Sequence, residues 1–413
     1  MKLLFVHERL GSLGGAEANA LITARELKGK GNQIALLHGA PTGKAEANWH
    51  KVFESRYSLE TARSAEEAVD AALSDFKPDV VYVHKIAELR VIERLIESGL
   101  PLVRMVHDHD IYCMRSYKYF YRTREICERS ASLYCVFGCG AFVTRNRAGG
   151  FPLKYVSYSA KKREIALNQQ FDRMICVSNF MKAELINNGF SSERIEIFPP
   201  VPPPGDPTLR STFSDRNLVI YAGQIIRGKG VDVLLESLAL LKVPFECIIL
   251  GEGSHLAYCR SLAITLGIAD RVSFKGFVPQ EELKNYYREC SVVALSSVWP
   301  EPIATIGLEV MRYALPVVGF DAGGVGDWLV NEVNGYLVPW MDKPAFASAL
   351  ERLLTNKERA REMGRRGLEM VNEKFDFATY IDGLEDLFHR VLRERRGRSG
   401  FTPDALNVAA ACA

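Results

Sequence analysis

Two segments of the chain carry charged residues at spacings that suit the binding of a phosphate or a sugar. In the first, Gly223–Gly230, two cations, Arg227 and Lys229, lie directly after a predicted strand and before a predicted helix. Free amides at a helix N terminus, the helix dipole and two cations together favour a phosphate or diphosphate. The segment departs from the nucleotide loop GxxxxGK[ST], because Gly230 replaces the hydroxyl that binds magnesium. A kinase or ATPase is therefore disfavoured, and a solvated turn with two exposed cations is the simpler alternative.

The second segment contains two carboxylates, Glu301 and Glu309, eight positions apart. Glu309 lies inside a predicted helix and can accept hydrogen bonds from vicinal hydroxyls such as those of a ribose, whereas Glu301 lies on the preceding loop and can reach a sugar. The backbone amides of Ile303, Ala304 and Thr305, near the start of that helix, can hold a phosphate without a metal. Carboxylates near a helix start are also common as caps, so this pair alone does not identify a ligand site.

The elements that must position these segments alternate between short apolar strands and amphipathic helices. In the first half, the predicted strands are Lys2–His7, Gln33–His38, Val80–His84, Leu102–His107, Arg173–Val177 and Ile195–Phe198. The alternation restarts at Leu218, after the proline-rich segment 199–207. This pattern predicts an α/β protein with two doubly wound, Rossmann-like domains facing across a cleft. We place the domains at residues 1–203 and 204–375, with the helix 376–395 packing back on the first.

Composition places the chain among globular proteins with large cores. It has 413 residues, of which 47% are hydrophobic and 25% charged, and a net charge of +2. This length predicts two or three domains, and the charge does not demand a nucleic-acid partner. No apolar run reaches 18 residues, and the apolar start Met1–His7 is too short for a signal peptide. We therefore expect a cytoplasmic protein whose nine cysteines are reduced thiols.

Several motifs, taken in order and spacing, resemble those of a known family. They are the glycine turn that contains Lys229, Leu250-Gly251-Glu252-Gly253, the segment 272–278, the pair Glu301 and Glu309, Gly323-Gly324-Val325, and the segment 334–339. Together they resemble the retaining glycosyltransferases of family 4, also called group 1 transferases, which have the GT-B fold. The resemblance covers nearly the whole chain and is strongest from Leu218 to Pro339.

The resemblance implies a role for each matching residue of the second half. Lys229 is similar to the lysine that binds the diphosphate, and Glu309 to the carboxylate that holds the nucleotide ribose. Glu301 matches the first member of the carboxylate pair, near the transferred sugar. Phe277 and Val278 fall where the base packs in the family.

The first half matches less densely, and the diphosphate turn departs from the family at one position. Gly15 lies in a glycine turn whose backbone, in the family, approaches the diphosphate when the cleft closes. His107 lies at the end of the fourth predicted strand, as the active-site histidine of the family does. Gln224 replaces the arginine that usually follows the first glycine of the turn. Arg227, three residues later, is our candidate for the second cation.

The implied activity is the transfer of a sugar, of hexosyl type and with retained configuration, from a nucleotide-diphosphate sugar to an acceptor hydroxyl. The expected acceptor is a glycan or a lipid-linked glycan in the biosynthesis of cell-surface polysaccharide, lipopolysaccharide or glycolipid. No metal cofactor is expected, because Lys229, Arg227 and helix-terminal amides supply the stabilisation that the leaving diphosphate needs. A sugar-nucleotide epimerase of the same fold and a non-catalytic sugar- or lipid-binding module are the alternatives. A dinucleotide oxidoreductase is disfavoured, since the glycines near Gly15 do not form GxGxxG.

Two clusters contain residue types that bind metals, and in neither is a metal favoured. Alternation along His107–Asp110 predicts both histidines of that run on one face and the two aspartates on the other. We favour substrate contact by His107 over a structural histidine, and a metal ligand is the least favoured alternative. Cys113, Cys127, Cys135 and Cys139 lie within 27 residues of one another. Only the last two have the close spacing of a structural zinc site, so free thiols are favoured over zinc.

A basic and aromatic segment follows the predicted strand that ends at His107. Between Arg115 and Arg173 we count twelve basic and four acidic residues, interleaved with aromatic side chains. Such a composition suits the anionic surface of a membrane, which would make the protein peripheral on the inner face. A solvated face with its aromatics turned inward is equally favoured. No nucleic-acid motif accompanies the segment, so a nucleic-acid partner is not expected.

Overall fold

Two parallel sheets form the framework of the chain. The computed structural model describes residues 1–12, 14–145, 153–201 and 210–399. Its strands are, in chain order, Lys2–Leu10 (β1), Gln33–Pro41 (β2), Ser55–Ser58 (β3), Val80–Val83 (β4), Leu102–Val106 (β5), Val143–Arg145 (β6), Leu153–Tyr155 (β7), Arg173–Cys176 (β8), Ile195–Ile197 (β9), Leu218–Ala222 (β10), Glu246–Leu250 (β11), Val272–Gly276 (β12), Val292–Leu295 (β13), Val317–Phe320 (β14) and Gly335–Val338 (β15). The first sheet has the order β3-β2-β1-β4-β5-β8-β9, and the second β12-β11-β10-β13-β14-β15. All pairs in both are parallel.

Helices connect the strands. They are, in chain order, Gly15–Gly29 (α1), Glu46–Val52 (α2), Ala65–Phe76 (α3), Leu89–Glu97 (α4), Tyr134–Phe137 (α5), Tyr158–Asn168 (α6), Asn179–Asn187 (α7), Val231–Leu238 (α8), Leu256–Thr265 (α9), Gln280–Tyr287 (α10), Thr305–Met311 (α11), Lys343–Thr355 (α12), Lys357–Lys374 (α13) and Phe377–Ser399 (α14). None of the helices described is long and apolar enough to cross a membrane.

The central strands are buried because their sequences are apolar on both faces. All four residues of β4 and all four of β13 are buried. Continuous apolar runs of this kind are what a parallel sheet covered by helices on both sides requires. In such sheets, ligands bind outside the carboxyl ends of the strands. The loops after β1, β4 and β5 in the first sheet, and after β10 and β13 in the second, are therefore the places to look for a site.

The long helix α14 crosses back to the first sheet. The hydroxyl of Tyr380 bonds with Asn19 (3.2 Å), and the ring of Phe388 packs edge-on against Tyr82 at 5.0 Å. Glu394 accepts two hydrogen bonds from the Arg173 guanidinium, at 2.8 and 2.9 Å. The predicted domain boundary after residue 203, and most of the proline-rich segment 199–207 that contains it, lie outside the described residues. The limits 1–203 and 204–375 thus stay predictions.

Between β5 and α6 the chain leaves the first sheet for about fifty residues. This segment, residues 107–157, contains α5 and the antiparallel ribbon β6–β7, in which Val143 pairs with Tyr155. Connections in α/β units usually have roughly 2–6 residues. The segment is therefore an addition to the basic fold, and we call it the β5–α6 insertion.

Candidate active site

The glycine turn after β10 is held against the loop after β13. Gly230 has φ +64°, and a side chain there would meet a carbonyl oxygen of that loop at 2.0 Å, so only glycine fits. The Gly228 carbonyl accepts a hydrogen bond from the Trp299 backbone (3.1 Å). These contacts bring Lys229 to the second segment of the sequence analysis, where its ammonium lies 2.6 Å from the Glu301 carboxylate.

Glu301 is a buried carboxylate that is held in its ionised form. Its Oε1 accepts hydrogen bonds from Lys229, from the hydroxyl of Ser297 and from the indole of Trp299 (2.8 Å). Burial by itself would raise the pKa of Glu301, but the charge of Lys229 and these hydrogen bonds lower it below its ordinary value. No hydrogen bond from the described residues reaches Oε2, so that oxygen can accept one from a ligand.

Glu309, on α11, has the opposite environment. It is partly buried, and no donor or cation among the described residues contacts its carboxylate. Burial consequently raises the pKa of Glu309 to about 7 from an ordinary value of 4.5. The nearby hydroxyl of Tyr287 is buried and makes no hydrogen bond within the described part of the chain. A carboxylate with open lone pairs suits a ligand that brings its own donors, such as a pair of hydroxyls.

The residues that precede Glu309 connect the loop after β13 to the start of α11. Ile303 and Ala304 are buried and Thr305 is exposed. Ala304 has φ +58°, which is a costly conformation for a residue with a side chain. No side chain caps this helix, so the first backbone N–H groups of α11 have no partner from a cap.

In the first sheet, strand β1 and the residues directly after β4 and β5 bring three histidines together. His84 Nδ1 lies 2.9 Å from His107 Nε2, and the two rings are stacked. The ring of His7 lies 6.3 Å from that of His84. Burial lowers the pKa of His7 to about 4 and that of His107 to about 3, and it also holds the pKa of His84 well below its ordinary value. All three are therefore neutral imidazoles near pH 7.

His109, rather than His107, makes the direct contact with the second sheet's loops. Its Nε2 lies 2.9 Å from the Pro300 carbonyl oxygen, and its Nδ1 bonds with Tyr112. The expectation that His107 and His109 share a face is wrong, because residues 107–112 turn rather than continue the strand. His109 thus joins the two halves of the site next to Glu301.

Four predicted donor-binding residues have no described contact with Lys229, Glu301 or Glu309. The guanidinium of Arg227 stacks on the ring of Tyr121, 4.6 Å from its centroid, and donates to backbone carbonyls of the β5–α6 insertion. Phe277 is 73% exposed, and Val278 is partly buried. A side chain at Gly15 would meet nothing within 4 Å, so the start of α1 faces open space. The donor-binding roles of these residues stay predictions.

Two sequence models of protein families match the chain. Glycosyl transferases group 1 matches residues 210–370, and Glycosyltransferase Family 4 matches residues 13–201. The chain belongs to the group 1 glycosyl transferases. The first match contains Lys229, Glu301 and Glu309, and the second contains Gly15 and His107, so the predicted site draws on both.

Individual relatives of the chain are also named as sugar transferases. The D-inositol 3-phosphate glycosyltransferase of Xylanimonas cellulosilytica is 28% identical, over 51% of this chain and 54% of the relative. A GDP-mannose-dependent phosphatidylinositol monomannoside mannosyltransferase of Mycobacterium tuberculosis is 26% identical, over 43% of this chain and 48% of the relative. The matched part of the chain thus spans about half the length of these curated relatives.

Solved structures of the family confirm the fold. HepE of Anabaena, solved in complex with UDP, superposes with a TM-score of 0.71 and 17% identity, covering 94% of this chain and all of HepE. The predicted fold class, two Rossmann-like domains in the GT-B arrangement, is thereby confirmed.

The four clustered cysteines of this family member lie on the β5–α6 insertion and line one cavity of about 20 Å³. None of the four forms a disulfide with another described residue, and burial raises the pKa of Cys127 and Cys139. Among the residues that the structure describes, no group of three or more His, Cys, Asp or Glu is arranged to hold a metal ion. The preference for free thiols over a structural zinc stays a prediction.

The sequence analysis missed three residues that shape the site. The hydroxyl of Ser297 donates to Glu301, and the ring of His84 contacts that of His107. Arg124 forms a buried, bidentate ion pair with Asp232 on α8. His84 is the last residue of a predicted strand, just as His107 is, so its position was a usable signal. Arg124 and Asp232 are 108 positions apart, and no local pattern links them.

Proposed function

We propose that the chain is a retaining glycosyltransferase that moves a sugar from a nucleoside-diphosphate sugar to an acceptor hydroxyl. The observation that carries this proposal is that Glu301 and Glu309, the two carboxylates after β13, have opposite environments. Glu301 is ionised and bound to Lys229, while Glu309 is a carboxylate without a partner among the described residues. The GDP-mannose dependence of one relative and the UDP bound to HepE support a nucleoside diphosphate as the ligand.

Lys229 would bind the diphosphate of the donor. An ammonium has three N–H donors, and Glu301 takes only one of them, which leaves two for phosphate oxygens. The open N–H groups at the start of α11, around Ala304 and Thr305, would add donors for the same anion. Fixed charges and dipoles of this kind stabilise the leaving group without reorganising as charge develops. We therefore propose a reaction that needs no metal ion.

In the proposed step, the bond between the anomeric carbon and the diphosphate oxygen breaks, and its electron pair leaves with the nucleoside diphosphate. The acceptor oxygen bonds to the anomeric carbon on the same face, and its proton passes to the departing diphosphate oxygen. The sugar is oxocarbenium-like at the transition state, as in glycoside hydrolysis. Glu301 Oε2, which the described residues leave free, would accept from a sugar hydroxyl, and Glu309 would accept from the ribose hydroxyls.

The acceptor would enter from the first sheet. A crevice of about 350 Å³ opens between the loops after β3 and β4, and Glu8, the neighbour of His7 on β1, lines it. Charged side chains of both signs line it: Glu8, Glu60, Arg63, Glu88 and Arg90. Such a lining offers donors and acceptors to a polyhydroxylated ligand, which supports a glycan or lipid-linked glycan as the acceptor. We place the protein on the cytoplasmic side, in the assembly of cell-surface polysaccharide, lipopolysaccharide or glycolipid.

A panel of nucleotides in a thermal-shift assay tests the proposal. UDP, GDP, ADP, ATP and NAD are each added in the presence of EDTA. A ligand at 100 times its dissociation constant stabilises the protein by about 2.7 kcal/mol, which raises the melting midpoint by several degrees. We expect one nucleoside diphosphate to shift the midpoint in spite of EDTA. Glu309→Ala should abolish that shift, whereas Glu282→Gln, an exposed carboxylate on α10, should leave it intact.

Product analysis then separates the related activities. The transferase consumes the matching nucleotide sugar only when an acceptor is present, while an epimerase changes the sugar without one. A shift with NAD alone, or with no nucleotide at all, would overturn the proposal. A nucleotide shift without any turnover, and with Glu309→Ala still supporting the cellular role, would instead indicate a binding module.

A further inference from the structure

Exposed apolar side chains are concentrated in one region of the molecule. Eight of the fifteen large hydrophobic residues that are exposed in the described chain lie between Tyr117 and Tyr155. Monomeric proteins scatter such residues singly, and a cluster of them indicates a surface that contacts another body. The region coincides with the β5–α6 insertion, which the basic fold does not need.

Six of these side chains lie in or next to α5 and the β6–β7 ribbon of the insertion. We call them the apolar patch: Leu133, Tyr134, Phe137, Phe142, Leu153 and Tyr155. Phe137 is 82% exposed and Tyr155 70%. Leu153 and Tyr155 lie two residues apart on β7, so they share one face of the ribbon. The Phe142 carbonyl accepts a hydrogen bond from the backbone just after Tyr155, which places this ring at the same end of the ribbon.

The base of the insertion is well anchored, so the patch is exposed by the fold and does not result from loose packing. Lys118 is buried, and its ammonium lies 2.7 Å from Glu184 on α7. Nearby, the backbone of Ala131 donates to the side chain of Asn188 (2.9 Å). The insertion is therefore tied to α7 and the residue after it, while the side chains of the apolar patch stay exposed.

Exposed cations accompany the patch in the same stretch of chain: Arg122, Arg129, Lys154 and Lys162. The guanidinium of Arg129 lies over the ring of Tyr134, 4.4 Å from its centroid, and Lys154 projects from the face of β7 opposite Leu153 and Tyr155. The exposed acids of the same stretch are Glu125 and Glu128. Aromatic and leucine side chains interleaved with cations are the composition of surfaces that insert at the level of lipid headgroups and attract anionic lipids. A second copy of the chain fits less well, because a two-fold contact would place these cations against one another.

We propose that the apolar patch and the cations that accompany it dock the protein on an anionic lipid bilayer. The insertion also contacts the diphosphate turn, through Tyr121 against Arg227, and α8, through Arg124 bound to Asp232. Docking therefore holds the cleft close to the membrane surface, where a lipid-linked acceptor would be presented. This inference does not depend on the proposed catalytic function.

Co-sedimentation with vesicles tests the proposal on the full chain. One set of vesicles is phosphatidylcholine alone, and the other contains phosphatidylcholine and phosphatidylglycerol in a two-to-one ratio. The variant Phe137→Ser/Tyr155→Ser removes two patch side chains. Its matched control, Tyr258→Ser/Ile264→Ser, removes two side chains of α9 that are 54% and 71% exposed and lie outside the patch. All four side chains are exposed, so folding is expected to be retained.

We expect the wild type and the control to bind the anionic vesicles, and the patch variant to bind them at least about tenfold more weakly. A second variant, Arg129→Glu/Lys154→Glu, should lose binding to anionic vesicles by about tenfold or more, and added salt should weaken the wild type in the same way. In solution, both variants should retain the thermal shift with nucleotide, which separates a failure here from a failure of the catalytic proposal.

Other outcomes would overturn the inference. These are the absence of binding by the wild type to anionic vesicles, equal losses in the patch variant and the control, or binding that ignores the lipid charge. Dimerisation in sedimentation velocity that the patch variant abolishes would assign the face to a second copy instead. Binding of a single-stranded RNA oligonucleotide, but not of vesicles, would assign it to nucleic acid.

Discussion

Replacing Glu309 with glutamine is expected to make the ligand-free protein more stable at neutral pH and above. The pKa of this carboxyl rises from 4.5 to about 7 because burial disfavours its charge and no partner among the described residues compensates. At 1.36 kcal/mol for each pH unit, ionised Glu309 costs the folded state about 3 kcal/mol. Since the folded state holds its proton more tightly than the unfolded chain, this cost is absent below pH 4.5. It grows as the pH rises and is complete above pH 7.

The assay follows unfolding of the wild type and of Glu309→Gln from pH 4.5 to pH 8.5 without ligand. The two proteins should have similar midpoints at the acidic end and diverge toward the alkaline end. In a domain of 150–250 residues, 1 kcal/mol moves the melting midpoint by roughly 2–4 °C, so the largest difference is roughly 6–12 °C. Adding the nucleoside diphosphate should reverse the order, because the wild-type carboxylate can accept from both ribose hydroxyls, whereas glutamine has one acceptor oxygen and presents an NH2 donor in place of the other.

Two results would refute this reasoning. If Glu309→Gln were less stable than the wild type at pH 8, the carboxylate would have a structural partner in the fold. If the difference did not change with pH, the carboxyl would titrate near its ordinary pKa. Glu282→Gln, on the exposed face of α10, is the control for removing a charge, and its midpoint should follow the wild type at every pH.

Three further predictions concern the charges around the cleft. Lys229→Met should weaken binding of the nucleoside diphosphate roughly tenfold to a hundredfold in titration calorimetry while binding of the parent nucleoside is unchanged, since a hydrogen bond to a charged group contributes about 1.5–3 kcal/mol. Arg124→Met should lower the free energy of unfolding in urea by about 3–5 kcal/mol because it leaves buried Asp232 without its guanidinium, and adding Asp232→Asn should restore part of the loss. In a pH–rate profile, kcat/KM should fall as the pH drops through about 7, where Glu309 is protonated, and should show no inflection near 6.5 from His107, whose pKa is about 3.

The sequence predicts the fold well wherever an element is long or fully apolar. All six predicted strands of the first half begin at the predicted residue, and the last four end one residue before the predicted end. The edge strand Ser55–Ser58 escapes prediction because it is only partly buried and has no apolar run. The helix before it, Glu46–Val52, has seven residues, too few to establish a helical period.

Contacts between distant segments account for what the sequence could not show at the site. Arg227 has the charge and the position of a diphosphate ligand, yet its guanidinium lies on Tyr121, 106 positions away. His109 reaches Pro300 because the chain turns after β5, a turn that alternation along the strand cannot foresee. Residue types and local spacing identify which groups are available, whereas the insertion decides which of them already have a partner.

The two glutamates show most clearly how the fold divides residues that look equivalent in the sequence. Glu301 and Glu309 are the same side chain, eight positions apart, and both are withdrawn from water. Three donors converge on Glu301, so its pKa falls and its charge is permanent, whereas the described residues send none to Glu309, so its pKa rises. Environments that separate the pKa values of neighbouring carboxyls mark different tasks. An unpaired, buried carboxylate destabilises the folded protein, and a ligand that donates hydrogen bonds to it would explain why it is there. Glu309 is therefore the residue on which the proposed function can be tested most sharply.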